Sequence, residues 1–412
     1  MEDIKSKLKD HRLSSGPVLE SEVVDKELGL IGYVVIDSTV NGRSCGGVRM
    51  ATDVSMSRIA DLARTMTLKL GYTNGAIGGA KVGIIGDPES YPDEKRALLN
   101  AFGRALGPLL KSNCCYLGAD LGTTTKDISA ILAAAGMKAK GRTRDSSSGF
   151  YTGLSVLSAA TGAAQHIGLS LAGSTLAIEG FGKIGSAVAR LFAKKDVKVV
   201  AVSTARGAIY NEDGLNVDRL MELYNRVGSK VVEMYTGAQQ IGRSELLEIG
   251  VDVLSPCAGY HSINRQNADH VSAKIVCPGA NLPTTPEAEQ ILLRRGIVSV
   301  PDFIANCGGV LAETMDIAGR NFARSLIEQQ ICASVARVLK ESEKRGMPPR
   351  QFAEVIAVER FHNVKEAAEA RIRRLLVEAS RFAFDTYQST PLPELLIKPF
   401  CAWYASKRIR QL

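Results

Sequence analysis

Hydrophobic and polar positions alternate with two different periods along the first third of the chain, which predicts strands interleaved with helices. Apolar, β-branched runs predict strands, and apolar residues at helical spacing predict helices. The predicted strands are 31–37, 82–86 and 114–117, and the predicted helices are 55–68, 93–106 and 127–135. Residues 1–30 predict a short amphipathic helix and a turn, and Asn41-Gly42 predicts a tight turn.

The same alternation resumes after a polar stretch at 140–149, which is typical of a domain boundary. A helix is predicted at 151–166, and further strands are predicted at 174–179, 197–202, 252–255, 275–277 and 297–300. From about residue 310 the pattern predicts helices at 321–344, 349–361 and 364–387. The basic tail 398–412 carries the only tryptophan, Trp403, and is either an oligomer contact or a solvated, partly packed helix.

A glycine-rich turn follows the strand predicted at 174–179. The sequence Gly180-Phe181-Gly182-Lys183-Ile184-Gly185 lies between this strand and a predicted helix, with a second strand at 197–202. Such glycines permit a tight turn and a close backbone approach to a pyrophosphate, and the helix N-terminus supplies N–H donors. The alternative is a plain β-turn-α unit, but the flanking elements favour a dinucleotide site.

Composition excludes several classes of protein. The 412 residues are 45% hydrophobic and 23% charged, which is ordinary for a globular chain of two domains. The net charge of +8 is not gathered into long runs, so anionic small molecules are favoured over nucleic acid. The sequence contains no apolar run long enough to span a membrane. Its eight cysteines and five histidines show no metal-ligand spacing. A cytoplasmic protein with no membrane partner and no bound metal is expected.

Two lysines flank an uncharged, glycine-rich stretch. Lys69 ends the helix predicted at 55–68, and Lys81 follows Gly78-Gly79-Ala80. Taken alone, this stretch favours a surface lysine on an exposed loop. In a desolvated pocket, however, its pKa would fall and the amine could act as a general base.

Several motifs in one order resemble the glutamate/leucine/phenylalanine/valine dehydrogenase family along nearly the whole chain. These are Gly46-Gly47-Val-Arg49-Met, Met66-Thr-Leu-Lys69, Gly78-Gly79-Ala-Lys81, Asp120-Leu-Gly-Thr, Gly180 to Gly185, Gly279-Ala-Asn281-Leu-Pro-Thr-Thr-Pro and Asn306-Cys-Gly-Gly309. The resemblance implies reversible oxidative deamination of an L-amino acid to a 2-oxo acid and ammonia. It also implies a hexamer or octamer.

The resemblance assigns roles to individual residues. Lys69 would pair with the substrate carboxylate, Lys81 would activate water, and Asp120 would exchange protons with the amino nitrogen. An asparagine near the carboxylate corresponds to Asn306, and one near the nicotinamide corresponds to Asn281. Ser148 occupies the place of a threonine that touches the nicotinamide amide. Gly46, Gly47 and Val310 complete the expected substrate site.

Two departures from the family concern the substrate. Glutamate-specific members have a lysine before the Gly-Gly pair that binds the side-chain carboxylate, whereas this chain has Cys45. A serine that assists the same carboxylate corresponds to Glu313. Glu313 is either turned away from an apolar or aromatic substrate or directed at a basic one. Alternatives are a glutamate dehydrogenase with an altered pocket, and a biosynthetic or regulatory member of the family.

A third departure concerns the cofactor. The second strand of the dinucleotide fold ends in Ser203-Thr204-Ala-Arg206, without the acid that binds the ribose 2′-hydroxyl of NAD. Ser203, Thr204 and Arg206 are expected to bind the cofactor, and Arg206 could pair with a 2′-phosphate, which favours NADP over NAD. The expected architecture is α/β with two domains. Residues 1–143, joined by helices within about 345–412, form an α/β substrate-binding and oligomerisation domain. Residues 144–344 form a doubly wound Rossmann-type domain.

Overall fold

The computed structural model describes residues 16–137, 147–311 and 318–370, together with residues 399, 402, 403 and 406. The chain divides into two compact units. One comprises Met1–Asp145 with Val355–Ile397, and the other comprises Ser146–Glu354 with Lys398–Leu412. Among the described residues, no helix is both long enough and apolar enough to cross a membrane.

The first unit is built on a five-stranded mixed sheet. Its strands are β1 (Leu19–Asp25), β2 (Leu30–Ile36), β3 (Ser44–Ala51), β4 (Gly78–Ile85) and β5 (Cys115–Ala119), in the order β1-β2-β4-β3-β5. Strands β4, β3 and β5 are parallel, and β2 pairs antiparallel with β1 and β4. The helices are α1 (Met56–Tyr72), α2 (Pro92–Ala105), α3 (Gly107–Lys111) and α4 (Thr125–Ala134).

Local sequence explains where these elements begin. Ser55 caps α1 by accepting a hydrogen bond from the Arg58 amide at 3.3 Å, and Thr124 forms a capping box with Asp127 at α4. Asn41 and Gly42 both have positive φ, as a two-residue hairpin turn requires. The predicted helices and turn are confirmed here, and α1 ends with Lys69 in its last turn.

Two predictions in this unit and the next were wrong in part. Residues 19–25 form an edge strand whose alternate side chains are half-buried, and the acids Glu20 and Glu22 lie on its exposed side. The helices predicted at 349–361 and from 364 are one continuous helix through residue 369, because no cap or proline interrupts them.

The second unit contains a seven-stranded sheet in the order β12-β11-β10-β6-β7-β8-β9. The strands are β6 (Thr175–Glu179), β7 (Lys198–Thr204), β8 (Gly207–Tyr210), β9 (Gln239–Ile241), β10 (Val253–Pro256), β11 (Ile275–Val276) and β12 (Val298–Ser299). The neighbouring strands β12, β11, β10, β6 and β7 pair in parallel. Strands β8 and β9 extend the sheet with antiparallel pairings that the sequence did not predict. Strand order reverses between β6 and β10, which is where doubly wound sheets bind ligands.

Helices cover both faces of this sheet. They are α5 (Ser148–His166), α6 (Lys183–Ala193), α7 (Val217–Val227), α8 (Val231–Met234), α9 (Pro286–Arg294), α10 (Asp302–Ala305), α11 (Arg320–Lys344) and α12 (Pro349–Glu369). Short 3-10 turns span Gly228–Lys230, Glu245–Glu248 and Cys307–Leu311. Helix α5 is almost entirely buried, because Gly153 and Gly162 let it approach α6 and α11 closely. Helix α12 begins in this unit and continues in the first.

Candidate active site

Lys81 and Asp120 form a buried ion pair across the parallel part of the first sheet. Lys81 lies on β4 and Asp120 follows β5, with β3 between them. Gly47 occupies the intervening position on β3, and a Cβ atom there would lie 2.7 Å from Asp120 Cβ and 3.3 Å from Lys81 Nζ. Because Gly47 has no side chain, the Lys81 side chain reaches Asp120, with Nζ 2.6 Å from Oδ2.

Glycine is equally required at the neighbouring position. A Cβ atom on Gly46 would lie 1.8 Å from the carbonyl oxygen of Ala80, so β3 and β4 approach too closely there for any side chain. The ladder between the two strands is interrupted at the same place, between the pairs Cys45↔Gly79 and Val48↔Val82. The sequence Cys45-Gly46-Gly47 therefore has a geometric function, which is to bring β3 under the Lys81 side chain.

Arg49 is a second cation at this carboxylate. It lies two residues beyond Gly47 on β3 and so faces the same side of the sheet. Its Nε is 3.4 Å from the same Oδ2 of Asp120, and its side chain is 8% exposed. The sequence contained this arginine within a motif, but it gave no reason to place Arg49 beside the lysine.

The cluster perturbs the titration of both partners. Burial lowers the pKa of Lys81 below its ordinary value, the attraction of Asp120 opposes this, and the repulsion of Arg49 adds to it. For Asp120, burial alone would raise the pKa, but Lys81, Arg49 and the Leu121 amide stabilise the carboxylate. The pKa of Asp120 therefore lies well below its usual range. The arrangement supplies an ionised carboxylate beside an amine that loses its proton more easily than an ordinary lysine.

Lys69 lies on the helix that covers this face of the sheet. Gly79 and Gly83 allow α1 to pack on β4, because Cβ atoms there would clash with Thr67 and Ile59. The Thr67 hydroxyl is 2.7 Å from that of Ser38, which accepts a hydrogen bond from the Gly79 amide. These contacts fix the last turn of α1, and Lys69 is 6% exposed. Cys45, on β3, is half-buried.

The second unit contains the glycine turn, and each glycine has a different function. Gly180 adopts φ +95 and lies against Ala258, while a Cβ atom on Gly185 would be 2.0 Å from the Gly180 carbonyl oxygen. Gly182 faces open space, with nothing within 4 Å of an added Cβ atom, and no side chain caps the N-terminus of α6 there. This leaves N–H donors of α6 directed at an uncrowded surface, which suits a pyrophosphate. Phe181 is buried, and Ile184 lies close to Gly279.

The side chains at the end of β7 make hydrogen bonds within the second unit. Ser203 is buried, and its hydroxyl accepts a hydrogen bond from the Gly180 amide at 3.0 Å, so it supports the glycine turn. The Thr204 hydroxyl donates to the Ser229 carbonyl at 2.7 Å. Arg206 is exposed beyond the strand. No acid occupies this strand end, in agreement with the sequence.

Glu179 is an acid of the dinucleotide turn that sequence reasoning missed. It ends β6 immediately before Gly180, and its carboxylate accepts a hydrogen bond from the Ser262 hydroxyl at 3.0 Å. Burial raises the pKa of Glu179, while Ser262, the Gly259 amide and the charge of Arg243 oppose the rise. The contact ties the loop after β10 to the glycine turn. A charged residue inside an apolar strand is the signal that could have identified it.

Asn306 and Asn281 are in contact with each other. The Asn306 Nδ2 donates to the carbonyl oxygens of Gly279 and Ala280 and to Asn281 Oδ1, at 3.2, 2.8 and 3.1 Å. Asn306 is 3% exposed, and its Oδ1 is buried without a hydrogen-bond partner. Such an orphaned acceptor is expected to meet a donor of a bound ligand.

The other predicted residues of this unit lie near these two groups or outside the described chain. Val310 is half-buried in the turn that follows Asn306. Ser148 begins α5, and the side chain of Lys183 packs against the adjacent Gly149. Glu313 and most of the predicted linker at 140–149 lie outside the described residues.

Comparison with known proteins agrees with this geometry. Residues 148–371 match the Glutamate/Leucine/Phenylalanine/Valine dehydrogenase family, and residues 20–136 match the Glu/Leu/Phe/Val dehydrogenase dimerisation domain. A glutamate dehydrogenase of Thermotoga maritima is 31% identical over 357 residues, which is 80% of this chain and 84% of that protein. An NAD-specific glutamate dehydrogenase of Staphylococcus aureus is 30% identical over 82% of this chain and 86% of its own length.

A solved structure shares both fold and sequence. The hetero-hexameric glutamate dehydrogenase of Thermus thermophilus, in its Leu bound form, superposes with a TM-score of 0.71 at 26% identity, covering 88% of this chain and 95% of that chain. The predicted two-domain α/β fold with a Rossmann-type sheet is thereby confirmed. Both family matches together span most of the sequence. The chain belongs to the glutamate/leucine/phenylalanine/valine dehydrogenase family and is an amino-acid dehydrogenase, an oxidoreductase that acts on a CH–NH2 group with a nicotinamide cofactor.

Proposed function

We propose that this enzyme catalyses the reversible oxidative deamination of an L-amino acid other than glutamate. The overall reaction converts the amino acid, water and NAD(P)+ into a 2-oxo acid, ammonium, NAD(P)H and a proton. The observation that carries the proposal is the buried Lys81–Asp120 pair, with Nζ and Oδ2 2.6 Å apart. An ionised carboxylate beside a readily deprotonated amine is suited to moving protons on and off nitrogen and water.

The residues have distinct roles in this proposal. Lys69 pairs with the substrate α-carboxylate, and Asp120 takes a proton from the substrate amine. The chemistry that a bound nicotinamide supplies is acceptance of the hydride from the substrate Cα. Lys81 then deprotonates the water that attacks the iminium carbon, and Asp120 returns a proton to the departing ammonia. Gly46 and Gly47 present the backbone of β3 beside the reacting atoms.

The choice against glutamate rests on Cys45, an uncharged, half-buried residue on β3 next to Gly46. A glutamate side chain would need a cation there, since an unpaired carboxylate is costly to desolvate. We therefore propose an apolar, aromatic or basic side chain for the substrate. Val310, Asn306 and Glu313 of the sequence contribute to the same specificity in this proposal.

For the cofactor, we propose NADP in preference to NAD. The residues fit a dinucleotide, because Gly182 leaves the N-terminus of α6 uncrowded and Asn306 Oδ1 is an unfilled acceptor. Gly180 to Gly185 and Ser148 would hold the pyrophosphate and nicotinamide, with Asn281 beside the ring. Support for a 2′-phosphate comes from the exposed Arg206 after β7, where no acid competes.

We further propose that the unit containing residues 1–143 and the C-terminal helices binds the amino acid and mediates self-association, and that residues 144–344 bind the cofactor. The matched dimerisation domain at residues 20–136 supports the first assignment. The hetero-hexameric assembly of the Thermus thermophilus enzyme supports an oligomer, which we propose to be a homo-oligomer, either a hexamer or an octamer. No disulfide is found among the described cysteines, and we propose the reducing cytoplasm as the compartment.

The test is a spectrophotometric screen that follows the reduced cofactor at 340 nm. The common L-amino acids are assayed with NAD+ and NADP+ in turn, and the 2-oxo acids with ammonium in the reverse direction. Turnover of an apolar, aromatic or basic amino acid above that of glutamate is expected. Glutamate as the best substrate would refute the specificity, and silence with every substrate in both directions would refute the proposed activity.

A further inference from the structure

We infer that Arg49 is a positioning residue that orients the Asp120 carboxylate and places an excess positive charge beside the Lys81 amine. The inference rests on the proposed function for its catalytic meaning, but its physical content does not depend on turnover. It begins with the position of Arg49 on β3, between the strands that carry the other two groups.

The two cations bind one oxygen of the carboxylate. Lys81 Nζ is 2.6 Å and Arg49 Nε is 3.4 Å from Oδ2 of Asp120, so both cations contact the same carboxylate oxygen. An aspartate side chain held at one oxygen has its χ1 and χ2 rotations restricted. The second oxygen is then presented in a fixed direction, and Oδ1 is the atom that we assign to proton exchange with the substrate nitrogen.

The charge count of the cluster explains the effect on Lys81. Two buried cations share one carboxylate, since Lys81 is 4% and Arg49 is 7% exposed. An excess positive charge in a desolvated site is relieved by loss of a proton. Arginine does not deprotonate in proteins, so only the lysine can respond. Among the described residues, Arg49 forms its ion pair with Asp120 and with no second carboxylate.

The experiment measures the protonation of Lys81 directly. Full-length wild type, Arg49→Gln and Arg49→Lys are exposed to cyanate, a small reagent that carbamylates neutral amines, from pH 6 to 10. Modification of Lys81 is quantified by peptide mass spectrometry. Arg58→Gln is the matched control, because Arg58 pairs with the exposed Asp53 in the same unit.

Removal of the Arg49 charge in Arg49→Gln is expected to shift the pH profile of Lys81 labelling by about one unit to higher pH. Labelling of Lys81 near neutral pH should then fall about tenfold. Arg49→Lys retains the charge and is expected to shift it much less, while Arg58→Gln leaves it unchanged. In steady-state assays, the acid limb of the kcat profile should move in the same direction with little change in KM. A purely structural role would lower kcat at every pH without moving that limb.

An unchanged Lys81 labelling profile in a folded Arg49→Gln chain overturns the inference. Circular dichroism and the urea midpoint establish that the variant is folded, and Arg49→Met replaces it if glutamine at this site prevents folding. The outcome is independent of the proposed reaction. A wild-type enzyme that is silent toward every amino acid would refute the function, yet the labelling profile would still test the effect of Arg49.

Discussion

Glu289, whose side chain is 11% exposed, lies in the second unit among more acids than cations. Arg350, in the first turn of α12, directs both terminal nitrogens at Asp302 Oδ1, each at 2.7 Å. Its Nε lies 3.6 Å from both Glu289 and Glu354, so one arginine faces three carboxylates. Burial raises the pKa of Glu289 to about 8, with Arg350 opposing the rise and Asp302 and Glu354 adding to it.

The sign of the resulting pH dependence follows from the raised pKa. Below the ordinary value of 4.5, Glu289 is protonated in both the folded and unfolded chains and contributes no difference. Between about pH 5 and pH 8 the unfolded chain ionises while the folded chain keeps its proton, so folding stability falls as pH rises. One proton corresponds to about 1.4 kcal/mol per pH unit, or about 4 kcal/mol over this window as an upper limit.

Glu289→Gln replaces the titrating group with a neutral one of the same shape and is expected to remove this loss. Urea unfolding of wild type and variant, followed by circular dichroism at pH 5 and pH 8, measures the effect. Protein concentration is held fixed because self-association would shift the midpoints. The variant should gain stability relative to wild type as pH rises. Glu287→Gln, an exposed acid of the same helix, is the control and should show no such gain. An equal difference between wild type and Glu289→Gln at both pH values would refute the reasoning.

Three further predictions concern the two sites. Lys81→Ala should abolish turnover while leaving cofactor binding, measured by fluorescence titration, near normal; substantial residual turnover would contradict the catalytic role. The added methyl group of Gly182→Ala contacts no other residue, so this variant should bind the dinucleotide at least tenfold more weakly with an unchanged urea midpoint. The methyl group of Gly185→Ala would lie 2.0 Å from the Gly180 carbonyl oxygen, so this variant should lose about 1–3 kcal/mol of stability. Arg206→Gln should lower affinity for NADP+ about tenfold and leave affinity for NAD+ unchanged in the same titration; an equal loss for both cofactors would argue against a 2′-phosphate contact.

The sequence was most informative where chemistry depends on neighbours along the chain. The three glycines of the dinucleotide turn, the start of α1 near Ser55 and the lysine at the end of α1 were all predicted, because each follows from local spacing. The edge strand β1 was missed, since its half-buried face alternates with acids and an isolated strand lacks a strong apolar signal. The continuous α12 was predicted as two helices, because two apolar patterns that face different surroundings look like separate elements.

Contacts between strands that are distant in the sequence could not be predicted from local spacing. Lys81 and Asp120 are brought together by the parallel order β4-β3-β5, which no motif specifies. Recognition of the family supplied their roles, but it did not supply Arg49 as their neighbour. The support that Ser203 gives to the Gly180 amide was hidden for the same reason, since it depends on a contact between β7 and the glycine turn.

The two buried clusters follow one rule in opposite directions. At Asp120 two cations meet one carboxylate, and the group that can relieve the imbalance is Lys81, whose pKa is lowered. At Arg350 three carboxylates meet one cation, and the group that relieves the imbalance is Glu289, whose pKa is raised. In each cluster the arginine holds its charge at any accessible pH, so the partner must change protonation. Rising pH therefore acts on the enzyme in two opposed ways: it favours the neutral Lys81 amine that the proposed catalysis requires, and it weakens the unit that carries the dinucleotide turn. These two charge imbalances predict a pH optimum of activity that is limited by catalysis on the acid side and by stability on the alkaline side. Glu289→Gln should therefore extend the active pH range on the alkaline side without moving the acid limb.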